Sequence, residues 1–437
     1  MAKELLERPA VVGRGGGIHR QRFAIPDAGE GVLNLRIAAA GTDWGKKDQE
    51  AGTLRVEFEG SYSQHLVVFG GADEVLYQRL LGDIGVGAHE IMFTFSPEGS
   101  APKAQWIRAL SMQIDVIPYK DPRYIAATNA PVIYGRAENE SYEMRKSDAP
   151  LYAFYRFPQG GITGRELEYY VMYSHLDKGT DAAQRLATTG ILAPIEWTFR
   201  GALDSAGRAT RNLAFQGRNH KPHGFAGTYE MGSHPVLQAV GFEGMFHDRQ
   251  TTPYRFALPP LDEIPADRPL AWLQNLYPLS YRLAALELLR EAKIENPGNV
   301  KTKALTDPRN YVFLHFGVQG AANRRPPTVE VVVLLRGKED QYSSTLGDPR
   351  WGIEVTGPFA TAVKLPSGVG PEQIREIRVR PLPGRRDPFE LHIVPQAAFF
   401  LLGDAFTVGP MLPGLPAAEP VVCSREQPEA VVYRAPA

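Results

Sequence analysis

The sequence predicts a mainly β protein, a multi-domain assembly of jelly-roll-like β-sandwiches with one helical connector. The 437-residue chain contains 43 glycines and 36 prolines, more than one residue in six, which indicates many short segments separated by turns. Between the turns, segments rich in Val, Ile, Tyr and Phe often alternate apolar and polar residues, as half-buried strands do. Sheets must bury one face and protect their edges, which favours sandwiches. The strand segments are residues 53–59, 90–95, 166–173, 195–200 and 328–335.

Local signals place the hairpins and helices. Residues 194–217 read as two strands joined by the turn Asp204–Gly207, which predicts an antiparallel hairpin. Residues 280–293 show the one long helical pattern, with an apolar face and a stop at Asn296-Pro297-Gly298. A shorter helix is predicted from Asp181 to Thr188, with Asp181 as its N-cap.

These elements divide the chain into five predicted blocks, because prolines and polar breaks separate the strand-rich stretches. The blocks are an N-terminal β-sandwich at 18–119, a central β domain at 123–265, a helical connector at 266–300, a C-terminal β-sandwich at 309–407, and a Pro-rich surface tail at 408–437.

The overall totals exclude several classes of function. The net charge is −1, so no overall field attracts a nucleic acid. No apolar run reaches the 18 to 20 or so residues that cross a bilayer, so no membrane partner is expected. The single cysteine, Cys423, excludes an intramolecular disulfide framework and a Cys-based zinc site. The first residues lack the apolar core of a signal peptide, so we expect a cytoplasmic protein, or a secreted or periplasmic one whose leader has been removed.

Four of the ten histidines fall within residues 215–248, and this concentration predicts a site in the central domain. His220 and His223 are three residues apart in a loop that Pro222 and Gly224 keep from being helical. Such a spacing permits the two imidazoles to share a divalent transition metal without specifying one. The alternative is a pair of surface-loop histidines.

The other two histidines flank a segment that reads as strand, turn, strand. If Pro235–Phe246 forms a hairpin, its ends meet, and His234 approaches His247 and Asp248. A histidine beside a carboxylate can act as a general base, which makes His220, His223, His234, Glu230 and Asp248 the candidate catalytic residues. The alternative is a buried histidine bonded to a backbone carbonyl. At least three of the five histidines His175, His220, His223, His234 and His247 are expected to converge in one cleft.

An acidic loop after the strand 166–173 contains the candidate metal ligands His175, Asp177 and Asp181. Carboxylates separated by a glycine can wrap a hard cation such as calcium. Asp177 can equally close an Asx turn while Asp181 caps the helix. If the strand pairs with the 194–217 hairpin, His175 points to the same end of the sheet as His220.

Aromatic and arginine side chains accompany the histidines. Tyr229, Trp197, Arg200 and Arg218 are the candidate substrate-binding residues, because aromatic rings stack on the C–H faces of sugars while charged groups bind hydroxyls. The same aromatics are ordinary core residues of a sandwich. The favoured hypothesis is a hydrolase or lyase acting on a carbohydrate polymer or another extended polar ligand. The alternatives are a non-catalytic glycan-binding protein and a structural subunit, and an oligomer is compatible with each.

Overall fold

A computed structural model of the protein describes residues 4–60, 62–136, 149–158, 166–175, 180–240, 244–250, 252–295, 300–319, 326–382, 389–412 and 419–436. Strands make up 49% and helical segments 12% of these residues, so the chain is mainly β, as predicted. The described part of the chain has no helix long and apolar enough to span a membrane. It divides into two compact units. The first contains residues 1–179 and 194–263, and the second contains residues 180–193 and 264–437.

The first unit begins with two four-stranded antiparallel sheets in the region of the predicted N-terminal sandwich. One sheet has the strand order β1-β8-β3-β6 and the other β2-β7-β4-β5. The eight strands are β1 (Ala10–Gly13), β2 (Ile18–Ile25), β3 (Gly29–Ala38), β4 (Gly52–Phe58), β5 (Tyr62–Val68), β6 (Val75–Ile84), β7 (Gly87–Phe95) and β8 (Trp106–Pro118). Alternate residues of β4 are buried, including Leu54, Val56 and Phe58, which explains its alternating sequence.

The same unit continues into two further sheets. Helix α1 (Pro122–Thr128) begins at the N-cap Asp121 and is followed by β9 (Val132–Tyr134). The remaining strands are β10 (Pro150–Arg156), β11 (Glu166–Tyr173), β12 (Ile195–Leu203), β13 (Ala209–Gln216), β14 (Pro222–Gly224), β15 (Tyr229–Glu230), β16 (His234–Val240), β17 (Met245–His247), β18 (Arg255–Ala257) and β19 (Pro260–Glu263).

One of these sheets has six strands in the order β14-β13-β12-β11-β10-β19, and we call it the six-stranded sheet. All its neighbours are antiparallel except β10 and β19. The predicted hairpin 194–217 is confirmed as β12 and β13, and the Asp204 carboxylate accepts hydrogen bonds from the turn amides of Ala206 and Arg208. The other sheet has the order β15-β16-β9-β18, with β17 paired to β16.

The second unit contains α2 (Ala182–Thr189), α3 (Trp272–Leu276) and α4 (Leu279–Arg290), and α4 is the longest helix of the described residues, within the predicted region. The ring of Tyr281 on α4 lies 5.6 Å from that of Phe313 and 6.1 Å from that of Phe399. Phe313 and Phe399 are paired residues in two neighbouring strands of this unit, so the helix covers a sheet of its own unit. The predicted connector is thus packed into the second unit.

Two five-stranded sheets form the rest of this unit, in the orders β24-β20-β26-β27 with β28 added and β22-β21-β25-β29 with β23 added. The strands are β20 (Tyr311–Val318), β21 (Thr328–Leu335), β22 (Gln341–Ser343), β23 (Ile353–Glu354), β24 (Phe359–Lys364), β25 (Ile374–Pro381), β26 (Glu390–Leu402), β27 (Thr407–Met411), β28 (Val421–Ser424) and β29 (Ala430–Arg434). Their inward side chains form one continuous apolar core.

The prediction that residues 408–437 lie extended on the surface is wrong for the described part of this segment. Strand β28 pairs with β26, and β29 pairs with β25. Cys423, Val432 and Tyr433 are buried in the apolar core. Each strand is only four or five residues long and lies in a proline-rich segment. Such short runs do not show a clear alternation of apolar and polar residues, so the sequence does not predict these strands.

Candidate functional site

The candidate site is a row of charged side chains across three strands of the six-stranded sheet. Arg156 on β10 is the cross-strand partner of Glu168 on β11, and Glu168 is the partner of Arg200 on β12. Directly paired residues project from the same face of a sheet, so the three side chains are neighbours. Arg156 and Arg200 expose 40% and 37% of their side chains, and Glu168 exposes 12%. The two arginines are therefore partly open to solvent, while little of Glu168 is exposed.

The Glu168 carboxylate uses its two oxygens unequally. Its Oε2 atom accepts hydrogen bonds from Nε of Arg156 at 2.9 Å and from the hydroxyl of Tyr170 at 2.9 Å, and Nη2 of Arg156 also lies 2.9 Å away. Its Oε1 atom faces Nη1 of Arg200 at 3.9 Å. A charge-assisted N–H···O bond is about 2.7–2.9 Å long. The Arg200–Glu168 pair is thus too far apart for a direct hydrogen bond.

Each arginine of the row lies over an aromatic ring. The guanidinium carbon of Arg156 is 5.1 Å from the ring centroid of Tyr170, and that of Arg200 is 5.6 Å from the ring centroid of Trp197. Such cation–π contacts orient the guanidinium groups. Burial raises the pKa of the Tyr170 hydroxyl, which therefore stays protonated and donates to Glu168. Trp197 is half-buried, so part of the indole is accessible.

A β-bulge brings Trp197 to the same face as Arg200. Tyr169 pairs with Phe199 and Tyr170 with Trp197, so Thr198 is an extra residue in β12. Without the bulge, residues three apart would project from opposite faces. Thr198 is buried, and its hydroxyl donates to the carbonyl of Tyr169 at 3.2 Å, which holds the bulge in place. We call the five residues Arg156, Glu168, Tyr170, Trp197 and Arg200 the aromatic–ionic cluster.

His220, a predicted catalytic residue, lies at the end of β13 beside a carboxylate. It ends a single 3₁₀ turn, Arg218–His220, in which Asn219 and His220 have φ angles of 59° and 55°. Its Nδ1 atom lies 3.4 Å from Oε2 of Glu196, and the same oxygen accepts a hydrogen bond from Gln216 at 2.7 Å. His220 is 43% exposed. The structure thus forms a His–carboxylate pair, but with Glu196, which the sequence analysis had not selected.

His223 and Arg218 belong to the same loop. The His223 ring stacks on Phe215 at a centroid distance of 5.9 Å. Gly217 permits this packing, because a Cβ atom there would lie only 2.3 Å from the His223 ring. Arg218 is exposed. The structure places His223 against an aromatic side chain, so its predicted role in catalysis stays a prediction.

His234 is completely buried. Its Nδ1 atom bonds the carbonyl of Ala130 at 2.7 Å, and its Nε2 atom lies 3.3 Å from Oε1 of Glu30, which is also completely buried. This is the carbonyl-bonded arrangement that the sequence left open as an alternative. A side chain without exposed surface is out of reach of a substrate, so the structure favours a structural role.

The predicted approach of His234 to His247 does not occur. β16 and β17 do form an antiparallel hairpin, but its register places His247 opposite Gln238. His234 precedes Gln238 by four residues in β16, a distance of about 13 Å at 3.3 Å per residue. The unequal lengths of the two strands cause the mismatch. His247 is exposed on the short strand.

Glu230 and Asp248, the predicted carboxylates, have partners in the surrounding structure. Glu230 accepts hydrogen bonds from the hydroxyl of Tyr134 at 2.6 Å and from Nε of Arg255 at 2.8 Å, one on each oxygen. Burial and the neighbouring Glu230 raise the pKa of Tyr134. Asp248 accepts from the amide of Ala226 at 2.9 Å. These contacts fix both carboxylates in place.

Tyr229, predicted to bind substrate, is 44% exposed. Its ring packs edge-on against Phe225 at 5.4 Å, and Phe225 packs in the same way against the buried Phe199. Tyr229 is therefore the outermost ring of an aromatic column. The structure does not show it in contact with the aromatic–ionic cluster.

The predicted metal ligands divide between different environments. His175 is buried after β11. Strand β11 pairs with β12, which is the condition that the sequence left open, so the ends of β11 and β13 lie at one end of the sheet. Asp181 accepts hydrogen bonds from the amides of Ala183 and Gln184 as the N-cap of α2. Asp177 lies outside the described residues. Among the described residues there is no group of three or more His, Cys, Asp or Glu side chains arranged to hold a metal ion.

Of the residues in the aromatic–ionic cluster, Trp197 and Arg200 are predicted from the sequence as substrate-binding residues, whereas Glu168 and Tyr170 are not. The strand sequence of β11 does contain a usable signal, since Glu166 and Glu168 alternate with buried residues and so face outward. Their partners depend on the register between strands, which a single sequence does not determine. The cluster depends on the registers of β10 with β11 and of β11 with β12.

Comparisons with known proteins add a limited fold likeness. No protein-family model matches the chain, and no curated protein sequence matches it. Among solved structures, a GH115 4-O-methyl-α-glucuronidase is 8% identical and has a TM-score of 0.20, with 27% of this chain and 16% of that enzyme covered. The tandem CBM51 modules of a family 98 glycoside hydrolase from Streptococcus pneumoniae are 9% identical at a TM-score of 0.15, with 80% of this chain and 74% of that chain covered.

A third similar structure is the C-terminal CBM6 module of a laminarinase from Zobellia galactanivorans. It is 10% identical at a TM-score of 0.16, with 24% of this chain and 98% of that module covered. At such scores the likeness carries no argument about what this chain binds or does. The function has to be argued from the site itself.

Proposed function

We propose that this protein binds a carbohydrate polymer through the aromatic–ionic cluster on the six-stranded sheet. The observation that carries the proposal is the incomplete pairing of Glu168 with Arg200. Oε1 of Glu168 and Nη1 of Arg200 face each other at 3.9 Å, beyond hydrogen-bonding distance. An acceptor and a donor at a solvent-open position therefore both keep bonding capacity for a ligand.

A sugar hydroxyl suits this arrangement because it donates and accepts at the same time. A hydroxyl beside the row can donate to Oε1 of Glu168 while it accepts from Arg200. Arg156 and Tyr170 already bind Oε2, so the carboxylate is held in one orientation before the ligand arrives. A preorganised site loses less entropy on binding.

Trp197 supplies the second element that a sugar requires. The C–H faces of a pyranose ring are apolar and pack on aromatic rings. The half-buried indole lies next to Arg200 on the same face of the sheet. A sugar can therefore pack against the ring and at the same time form hydrogen bonds with Glu168 and Arg200. The cluster spans three adjacent strands, β10, β11 and β12, so an extended chain can contact it across the sheet.

Binding to a panel of immobilised polysaccharides tests the proposal. We expect the wild-type protein to bind at least one glycan, and Trp197→Ala to weaken that binding by about tenfold or more, which is about 1.4 kcal/mol. Trp106→Ala is the matched control, because Trp106 is an exposed tryptophan, 38% accessible, on another sheet of the same unit. Equal losses in both variants, or no glycan bound by the wild type, would contradict the proposal.

A hydrolase or lyase is the second candidate function, and the His220–Glu196 pair favours it. A half-exposed histidine 3.4 Å from a carboxylate can serve as a general base. Glu196 and Trp197 are consecutive in β12 and project from opposite faces, so this pair does not belong to the aromatic–ionic cluster. If it is catalytic, His220→Ala and Glu196→Gln both abolish the release of reducing ends or unsaturated products from a bound polysaccharide. Turnover retained in both variants would exclude this role.

A further inference from the structure

We infer that the glycan bound by the aromatic–ionic cluster is acidic, with a uronate carboxylate that pairs with Arg200. This inference rests on the proposed function and specifies its ligand. It follows from the charge of the cluster, from the partners of its two arginines, and from the geometry of the guanidinium group.

The cluster has an excess positive charge. Two guanidinium groups, Arg156 and Arg200, share the single carboxylate of Glu168. The next cross-strand row contains Glu166, Ala202 and Arg211, whose charges cancel. The cluster and its neighbouring row therefore carry a net charge of about +1 at neutral pH, which favours an anionic ligand.

The two arginines differ in how fully they are paired. Arg156 donates through Nε to Glu168, and its Nη2 atom contacts the same oxygen. Both of these nitrogens of Arg156 are therefore already used in contacts within the protein. Within the described part of the chain, Arg200 has one ionic contact, at 3.9 Å, and a cation–π contact with Trp197. Its guanidinium therefore retains N–H donors for a ligand.

A carboxylate matches these donors better than a hydroxyl does. Arginine binds carboxylates through two parallel N–H···O bonds, and such charge-assisted pairs are about twice as strong as neutral hydrogen bonds. A uronate can pair with Arg200 while a hydroxyl of the same ring donates to Oε1 of Glu168. The sugar ring then lies over Trp197, so Arg200, Glu168 and Trp197 all contact the same sugar residue.

Affinity measurements with three polysaccharides test the inference. Polygalacturonate supplies a carboxylate, a sulfated galactan supplies another anion, and a mannan is neutral. We expect polygalacturonate to bind about tenfold or more tightly than the mannan, and this preference to shrink as salt is raised from 50 mM to 500 mM, because the pair is partly exposed. Binding of the sulfated galactan alone, or equal binding of neutral and acidic chains, would overturn the inference.

The variant Arg200→Gln identifies the residue responsible. It should weaken the binding of polygalacturonate more than the binding of mannan, and so reduce the preference for the acidic polymer by about tenfold. Arg208→Gln is the control, because Arg208 lies in the turn of the same hairpin, paired with Asp204, and should change neither affinity. A preference retained in Arg200→Gln would overturn the assignment. If Trp197→Ala abolishes all binding while neutral and acidic chains bind the wild type equally, the proposed function stands and the acidic ligand does not.

Discussion

Glu168 and Glu230 are both held between an arginine and a tyrosine hydroxyl, in two different sheets of the first unit. Glu230 receives Tyr134 on one oxygen and Arg255 on the other, and Arg255 is only 3% exposed. In the part of the chain that the structure describes, Glu168 accepts hydrogen bonds from Arg156 and Tyr170, and both bonds go to the same oxygen. The same kinds of residue therefore build a closed network in one sheet and an open one in the other.

The difference shows how a binding surface can be distinguished from a structural network. In the closed network, each carboxylate oxygen has a protein partner, so the group contributes to stability and offers little to a ligand. In the open network, one oxygen and one guanidinium keep hydrogen-bonding capacity at a solvent-accessible position. Spare bonding capacity, rather than the presence of charged residues, is what supports a role in recognition.

His234 and Glu30 form a fully buried pair of polar side chains in this unit, and we expect the loss of this pair to have the largest effect on stability. His234→Ala leaves the Ala130 carbonyl without its hydrogen bond and Glu30 without its neighbour in a fully buried position. The free energy of unfolding should fall by about 3–5 kcal/mol. Urea denaturation measures it, with His247→Ala, which alters an exposed histidine, as the control expected to change stability by at most about 0.5 kcal/mol. Similar small changes in stability in both variants would contradict the distinction between the buried pair and the exposed histidine.

Acid should destabilise both units through buried neutral histidines. Burial lowers the pKa of His65 in the first unit and of His315 in the second from 6.5 to about 4. Because the unfolded chain takes up these protons first, the stabilisation is complete above pH 6.5 and is lost as the pH falls towards 4. By pH 4, each of the two histidines should lower the free energy of unfolding by about 3 kcal/mol.

Denaturant midpoints between pH 7 and pH 4 check this expectation. His315→Leu should flatten the acid dependence of the second unit, because it removes the buried titrating group. The ring nitrogens of His315 have no hydrogen-bond partner in the described part of the chain, so the substitution breaks no such bond. An unchanged acid dependence in this variant would show that other groups control the transition.

Substitution of Asp181 should have the smallest effect on stability. It distinguishes a role of Asp181 as a helix cap from a role as a metal ligand. Its carboxylate caps α2, so Asp181→Ala should lower the free energy of unfolding by about 1 kcal/mol, while Asp181→Asn, also a good cap, should change it by only a few tenths. Thermal denaturation with and without EDTA completes the test. A calcium site would make both variants equally unstable and would make EDTA lower the melting temperature of the wild type.

The sequence was sufficient to predict the mainly β class and much of the local structure. Strands β11 and β21 coincide with the predicted segments 166–173 and 328–335, because both are rich in β-branched and aromatic residues, which favour strands. The hairpin of β12 and β13 follows from its turn residues, and the α2 cap follows from Asp181. These features depend on interactions between residues close together in the chain.

The site could be predicted only in part, because it depends on register. Trp197 and Arg200 were selected from residue type, but their association with Glu168 requires the pairing of β11 with β12 and the bulge at Thr198. The same limitation explains why His234 was expected next to His247. A shift of register moves every side chain of a strand, and no local pattern in this sequence reports it.

The most direct test of the central claim compares Glu168→Gln with Glu230→Gln in two measurements, calorimetric titration with the polysaccharide that the wild type binds and denaturation in urea. We expect Glu168→Gln to weaken binding by about tenfold or more and to cost less than about 1 kcal/mol of stability, because that carboxylate is open to the ligand. Glu230→Gln should leave affinity within about twofold and cost about 2 kcal/mol, since it removes a charged partner of the buried Arg255. Loss of affinity in Glu230→Gln with full binding in Glu168→Gln would contradict the assignment of the binding surface.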